Sequence, residues 1–135
     1  MKLFVFGTLK KGFHLHAPAL DGAHFIGRYR TLLRFRMLVA GPWFAPMMLP
    51  QPGEGHRVVG ELYSIDEHHL ERIDAMESVG IPGNLRIEIE VEPIEAGPPE
   101  LAFVYVKSPA LANPVHSDFL SDYQDRRFVP PWSRN

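Results

Sequence analysis

Glu77 is the residue whose position in the sequence most favours acid–base chemistry. It follows Leu70 and Ile73 at helical spacing, so on a helix the three side chains lie on one inward-facing stripe. A carboxylate facing a core is costly to ionise, and burial raises its pKa toward the range that is useful for proton transfer. The alternative is that the helix has ended by Glu77 and its side chain turns into solvent.

A turn near the amino terminus is the second feature that could carry chemistry. The apolar run Leu3-Phe4-Val5-Phe6 reads as a buried strand, and Gly7-Thr8-Leu9-Lys10-Lys11-Gly12 follows it directly. A strand that leads into a Gly-Thr turn exposes successive backbone N–H groups, which can hold a carboxylate. The alternative is an ordinary turn after a core strand.

The sequence offers no pattern for a metal or phosphate-bearing cofactor. It has no Walker-type glycine loop, no GxGxxG and no HExxH, and without cysteine it has no thiol nucleophile. His14 and His16, and the adjacent His68 and His69, have no third ligand at suitable spacing, so we interpret them as surface residues. We therefore expect neither a cofactor nor a metal.

Length and charge limit the function classes further. A chain of 135 residues is typical of a single domain, which we place over residues 1–135. A formal net charge of −2 argues against nucleic-acid binding, which depends on surplus positive charge. The apolar runs are too short to cross a bilayer, and the first one breaks too early for a secretory signal. We expect a cytoplasmic protein with a small-molecule substrate, and the sequence does not determine its oligomeric state.

Several segments have the patterns of strands. Alternation of apolar and charged residues is clearest over residues 85–93, which favours one strand of an antiparallel sheet. Other strands are predicted at residues 3–6, 33–37, 58–63 and 101–106, whereas residues 41–55, with four prolines, are predicted to form a loop. Gly60 indicates a bulge or a close backbone approach.

Two helices complete the prediction. Asp66, or Ser64 together with Glu67, can cap the start of the first helix, which Gly80 and Pro82 end. A second helix is predicted over residues 117–126. Strands and helices in this irregular order favour an α+β fold with a strongly curled sheet.

Three motifs together resemble those of the gamma-glutamylcyclotransferase-like family, and more narrowly its branch of gamma-glutamylamine cyclotransferases and AIG2-like proteins. They are FGTLKKG at residues 6–12, GELYSID at residues 60–66, and IDAMES at residues 73–78 followed by Pro82 and Arg86. Their order and separations agree with the family over most of the chain. The resemblance implies a small mixed β-barrel with peripheral helices.

The resemblance also implies an activity that needs no cofactor. In this family the α-amino group of a γ-glutamyl compound attacks its own γ-carbonyl, which closes 5-oxoproline and expels the amine. Carried over by position, Glu77 is the acid/base. Phe6, Gly7, Thr8 and Leu9, which we call the 6–9 turn, would hold the glutamyl head through backbone donors, and Arg86 would contact the substrate.

Some residues depart from the family pattern. Phe6 and Asn84 stand where the family commonly has tyrosines, and Leu15 stands where it often has asparagine. These departures leave open a different leaving amine, a non-catalytic domain that binds γ-glutamyl compounds, or a structural subunit with a filled cavity. Arg86 has its own alternative, a surface charge paired with Glu88 or Glu90. Asp74 is interpreted as a structural hydrogen-bond partner.

Overall fold

The structure is a computed structural model that describes residues 1–135 and contains seven strands and two α-helices. The strands are β1 (Lys2–Val5), β2 (His24–Thr31), β3 (Met37–Ala40), β4 (Ala45–Met48), β5 (Val59–Ser64), β6 (Asn84–Pro93) and β7 (Glu100–Lys107). The helices are α1 (His16–Leu20) and α2 (Glu67–Met76), with short 3₁₀ helices at Pro109–Leu111 and Pro131–Ser133.

Five strands close into a barrel in the order β1, β5, β2, β6, β7. Neighbouring strands are antiparallel except for β1 and β7, which are parallel and meet at Leu3 and Phe103. Strands β3 and β4 form a separate two-stranded hairpin. The prediction of an α+β fold built on a small, curled, mixed barrel is therefore confirmed. No helix has the length and apolar character needed to span a membrane.

Alternation along β1 links two of the three clusters that form the core. Phe4 belongs to the cluster that fills the barrel, whereas Leu3 and Val5 pack in a second cluster with Leu20 of α1 and Ile73 of α2. Successive strand side chains point to opposite faces, so one short strand serves both clusters. Because a fully buried large apolar side chain contributes about 1.5–3 kcal/mol, β1 is held firmly from both sides.

The start of α2 is capped by Asp66, as one of the two predicted arrangements requires. Its Oδ1 atom accepts the backbone N–H of His69 at 2.9 Å, and the Nδ1 atom of His69 accepts the backbone N–H of Asp66 at 3.2 Å. This reciprocal pair is a capping box in which histidine takes the place usually held by glutamate. The interpretation of His69 as a surface residue was wrong, since it is buried.

The helix predicted over residues 117–126 is not present. This segment has no regular secondary structure and bonds to β3 and β5 instead: Leu120 donates its N–H to the carbonyl of Met37, and Ser121 accepts the N–H of Val59, both at 2.7 Å. The Ser117 hydroxyl accepts the N–H of Val39 at 2.8 Å. Short polar side chains of this kind compete with helical bonding, which explains why the apolar spacing was misleading.

Two predictions about the middle of the chain also need correction. Residues 41–55 are not only a loop, because β4 lies within them and pairs with β3. The strand predicted at residues 33–37 begins only at Met37, while Phe35 makes an isolated bridge with His56. Strand β2 was not predicted, since the register shift between Phe25 and Gly27 breaks its alternation.

Candidate active site

One cleft joins the two features that the sequence singled out. It encloses about 380 Å³, including the part open to solvent, and lies between the end of β1, strand β4, the end of α2 and the end of β7. Its walls are formed by Phe4, Val5, Phe6, Gly7, Thr8, Leu9, Pro46, Met47, Glu77, Tyr105 and Lys107. Glu77 and the whole 6–9 turn therefore line the same cavity.

Three of the four carbonyl groups of the 6–9 turn are bound by neighbouring parts of the chain. Gly7 accepts the N–H of Lys10 and Thr8 accepts the N–H of Leu15, both at 3.0 Å. The imidazole Nδ1 of His16 lies 2.9 Å from the carbonyl oxygen of Leu9 and donates to it. These bonds fix the turn against the loop that leads into α1.

The N–H groups of the same turn have no such partners. None of the four backbone N–H groups from Phe6 to Leu9 donates a hydrogen bond within the protein, although all four residues are buried. Buried backbone donors are nearly always paired, and successive free N–H groups form a concavity that binds anions. The turn thus has both the position and the unused donors needed to hold a carboxylate or a carbonyl oxygen.

Glu77 reaches the cavity from just beyond its helix. Helix α2 ends at Met76, and Glu77 is the cap residue, with its N–H bonded to the carbonyl of Ile73 at 2.8 Å. The alternative prediction was therefore right about the helix end but wrong about the side chain, which is only 20% exposed and lines the cavity. Burial raises the pKa of the Glu77 carboxyl, while the charge and hydrogen bond of Lys107 act in the opposite direction.

Sequence reasoning missed Lys107, the only cation that lines the cavity. Its Nζ atom lies 3.5 Å from the carboxylate Oε2 of Glu77, 3.3 Å from the Glu77 carbonyl oxygen and 2.7 Å from Oδ1 of Asn84. Asn84 and Lys107 face each other in the β6–β7 register. A lysine at the end of a strand, distant in sequence from Glu77, carries no motif that could have identified it.

Arg86 does not lie among the residues that line the cavity. Its Nη1 atom donates to Asp74 at 2.5 Å, and the hydroxyl of Tyr105 donates to the other carboxylate oxygen of Asp74 at 2.7 Å. Asp74 is thus a structural hydrogen-bond partner, as expected, and it is the partner of Arg86 instead of Glu88 or Glu90. Burial, together with the bond to Asp74, raises the pKa of Tyr105, so this phenol stays neutral.

The titratable residues do not form a metal centre. No group of three or more histidine, cysteine, aspartate or glutamate side chains is arranged to hold a metal ion. His16 and His69 are instead engaged with backbone carbonyls, of Leu9 and Asp21 respectively, each at 2.9 Å.

Comparison with known proteins shows which family the chain belongs to. The model of the family described as gamma-glutamyl cyclotransferase, AIG2-like, matches residues 3–125. The chain is 39% identical over 129 residues to the gamma-glutamylaminecyclotransferase of Bos taurus, covering 92% of this chain and 76% of that protein. It is 36% identical over 135 residues to the Rattus norvegicus protein of the same name, covering 89% of each.

A solved structure agrees with these sequence relatives. The crystal structure of an AIG2-like protein from Mus musculus superimposes with a TM-score of 0.80 at 33% identity, covering 98% of this chain and 97% of that one. The family model and the names of these relatives identify a gamma-glutamyl cyclotransferase. The chain belongs to the gamma-glutamyl cyclotransferase, AIG2-like family, so the enzyme class expected from the three sequence motifs is confirmed.

Proposed function

We propose that this protein converts a γ-glutamyl amine into 5-oxoproline and the free amine, with Glu77 as the acid/base. The observation that carries the proposal is the shared cavity, in which a half-buried carboxylate and four unused backbone donors occur together. The names of the relatives from Bos taurus and Rattus norvegicus support a γ-glutamyl amine as the substrate.

In the proposed reaction both protons pass through Glu77. The carboxylate takes a proton from the α-ammonium group, whose nitrogen then attacks the γ-carbonyl carbon and closes a five-membered ring. At this stage the ring nitrogen carries one proton more than it does in 5-oxoproline. As the intermediate collapses, the original bond between the γ-carbon and the amine nitrogen breaks, and Glu77 returns the first proton to that nitrogen. Glu77 then passes the extra proton of the ring nitrogen to the same amine, which leaves as an ammonium ion. No water is consumed. A placed acid/base contributes about 10²–10⁴ in rate.

The 6–9 turn would bind the glutamyl head. Its free N–H groups can hold the α-carboxylate or the γ-carbonyl oxygen on which negative charge develops. Holding the substrate in a ring-closing conformation is the larger contribution, because proximity in intramolecular reactions can lower a barrier by about 7–11 kcal/mol. The nucleophile belongs to the substrate, so the chain needs no nucleophile of its own.

The charges of the cavity favour leaving groups without a carboxylate. Lys107 is the only cation in the lining, and its donors are directed at Asn84 and Glu77. A leaving amino acid would bring a carboxylate into a space that has no free cation to pair with it. We therefore expect γ-glutamyl alkylamines to be better substrates than γ-glutamyl amino acids.

The test measures 5-oxoproline released from a panel of γ-glutamyl alkylamines and γ-glutamyl amino acids. Glu77→Gln keeps the size of the side chain but removes proton transfer, so activity should fall at least about 100-fold. Glu90→Gln, at an exposed position on β6, is the matched control and should keep wild-type activity. Full activity in Glu77→Gln would refute the role of Glu77. Saturable binding without any product would instead indicate a non-catalytic domain of the same fold.

A further inference from the structure

The ammonium of Lys107 is fully occupied by the protein. A lysine ammonium has three N–H donors, and Nζ lies within 3.5 Å of three acceptors: Asn84 Oδ1, the Glu77 carbonyl oxygen and Glu77 Oε2. The side chain is 18% exposed. A cation with no donor to spare is poorly placed to bind substrate. Any effect of Lys107 on catalysis must therefore act through Glu77.

Glu77 needs an external restraint because its helix does not provide one. It lies one residue beyond the end of α2, and Ser78, which follows it, has a positive φ of 57°. A buried, unpaired carboxylate would gain solvation by rotating outward or by taking up a proton. Lys107 opposes both changes, because it contacts the backbone carbonyl of Glu77 as well as its carboxylate.

Asn84 determines where the ammonium lies. Its Nδ2 donates to the carbonyl of Ile81 at 3.2 Å while Oδ1 accepts from Lys107 at 2.7 Å. The reverse orientation of the amide would place its NH₂ group against the ammonium and its oxygen against a carbonyl. The side chain of Asn84 is therefore held in the one orientation that anchors Lys107.

The other titratable groups near Glu77 are hydrogen-bonded to one another. Tyr105 lines the cavity, but its hydroxyl is donated to Asp74, whose second oxygen accepts from Arg86. The 6–9 turn and the part of β4 that lines the cavity contribute no titratable side chain. Lys107 is thus the one charged side chain in contact with the carboxylate of Glu77.

We propose that Lys107, anchored by Asn84, is the positioning residue that keeps Glu77 inside the cavity and ionised, ready to act as a base. The inference rests on the proposed role of Glu77 as the acid/base. In Lys107→Met the carboxyl loses its cation and, where it stays in the cavity, remains surrounded by protein. It should therefore titrate at a higher pH, and turnover at neutral pH should fall roughly 10- to 100-fold.

The test follows the Glu77 carboxyl directly by carbon-13 NMR in the full chain, with its signal assigned by its loss in Glu77→Gln. We expect the titration midpoint to rise in Lys107→Met, to rise less in Asn84→Ala, and to stay near wild type in Lys107→Arg, which keeps the charge. Lys2→Met is the matched control, because it removes a lysine that pairs with Glu100 outside the cavity. A lower midpoint together with reduced turnover would show that the carboxyl has turned out of the cavity, which also supports the positioning role. An unchanged midpoint or unchanged turnover in Lys107→Met would overturn the proposal.

Two further measurements distinguish a failure of this proposal from a failure of the proposed function. The acid limb of the pH–rate profile should move in the same direction as the NMR midpoint, and a midpoint that moves without the limb would also overturn the proposal. If wild-type protein releases no 5-oxoproline, the proposed function fails while the NMR result still reports on the ion pair. Should Lys107→Met fail to fold, Asn84→Ala provides the same test with a smaller expected change.

Discussion

Gly7 packs so closely against Pro46 that a Cβ atom on Gly7 would lie 2.5 Å from the Cγ atom of Pro46. Real Cβ atoms do not approach other heavy atoms so closely, and the proline ring has little freedom to move away. The contact joins the 6–9 turn to strand β4, so two walls of the cavity meet at this glycine. A side chain at position 7 must therefore displace one wall.

Gly7→Ala should reduce kcat/KM by roughly 10- to 100-fold, because a misplacement of about 1 Å in a positioning element is enough to cost that much. Gly27→Ala is the matched control. A Cβ on Gly27 meets only the Tyr29 ring at 3.5 Å, an ordinary contact on β2 outside the cavity. Steady-state kinetics on both variants provide the check, and equal activities would show that close packing at Gly7 does not shape the site.

The parts of the site that the sequence predicts are those defined by local pattern. The 6–9 turn follows a strand directly, and Glu77 continues a helical stripe, so short-range spacing locates both. The prediction for Glu77 was nevertheless incomplete, because the helix ends before it and a residue from another strand holds its side chain.

The remaining parts depend on contacts between distant segments. Lys107 meets Glu77 only because β6 and β7 pair in the register that sets Asn84 opposite Lys107. Pro46 lines the cavity from β4, a strand that lies within the proline-rich segment predicted to be a loop. The barrel as a whole was predictable from the strand patterns and the family motifs. The non-helical path of residues 117–126 was not, since bonds to β3 and β5 replace helical ones there.

Arg86 can be tested for the two roles that sequence and structure suggest. Because its guanidinium is bonded to Asp74 and lies outside the cavity lining, Arg86→Met should lower the free energy of unfolding by about 1–3 kcal/mol. KM should change by less than about threefold, since no bond to substrate is lost. Urea unfolding and steady-state kinetics measure the two effects.

Arg28→Met is the control for Arg86, because Arg28 is exposed on β2 and makes no ion pair. It should change neither stability nor KM. A large rise in KM for Arg86→Met at unchanged stability would instead support the direct substrate contact that the family resemblance implies.

The pH dependence of the wild-type enzyme follows from the burial of Glu77. Burial raises its pKa above the ordinary value of 4.5, and in the proposed mechanism the protonated acid cannot accept the substrate's proton. The rate should therefore fall as the pH is lowered through a value above 4.5, and the Glu77 carboxyl should titrate at the same pH. Profiles of kcat/KM from about pH 4 to about pH 9 provide the check. An acid limb at or below 4.5 would contradict the burial argument.

Tyr123 provides a prediction about stability that is independent of the reaction. Its ring is 0% exposed in the barrel core, and its hydroxyl is buried without a hydrogen-bond partner. Burial raises its pKa to about 12, so the hydroxyl is neutral at physiological pH. A buried polar group without a partner costs about 1–3 kcal/mol, and Tyr123→Phe removes that group while keeping the ring. The variant should be as stable as wild type or more stable.

Tyr29→Phe is the comparison that makes the Tyr123 result interpretable. Both tyrosines lie in the same core cluster, but the hydroxyl of Tyr29 donates to Glu100 at 2.6 Å. Its loss should cost about 1–3 kcal/mol, because a hydrogen bond to a charged group disappears. Urea unfolding of both variants gives the two free energies. If Tyr123→Phe proved the less stable of the two, the Tyr123 hydroxyl would have a bonding role that its surroundings in the core do not account for.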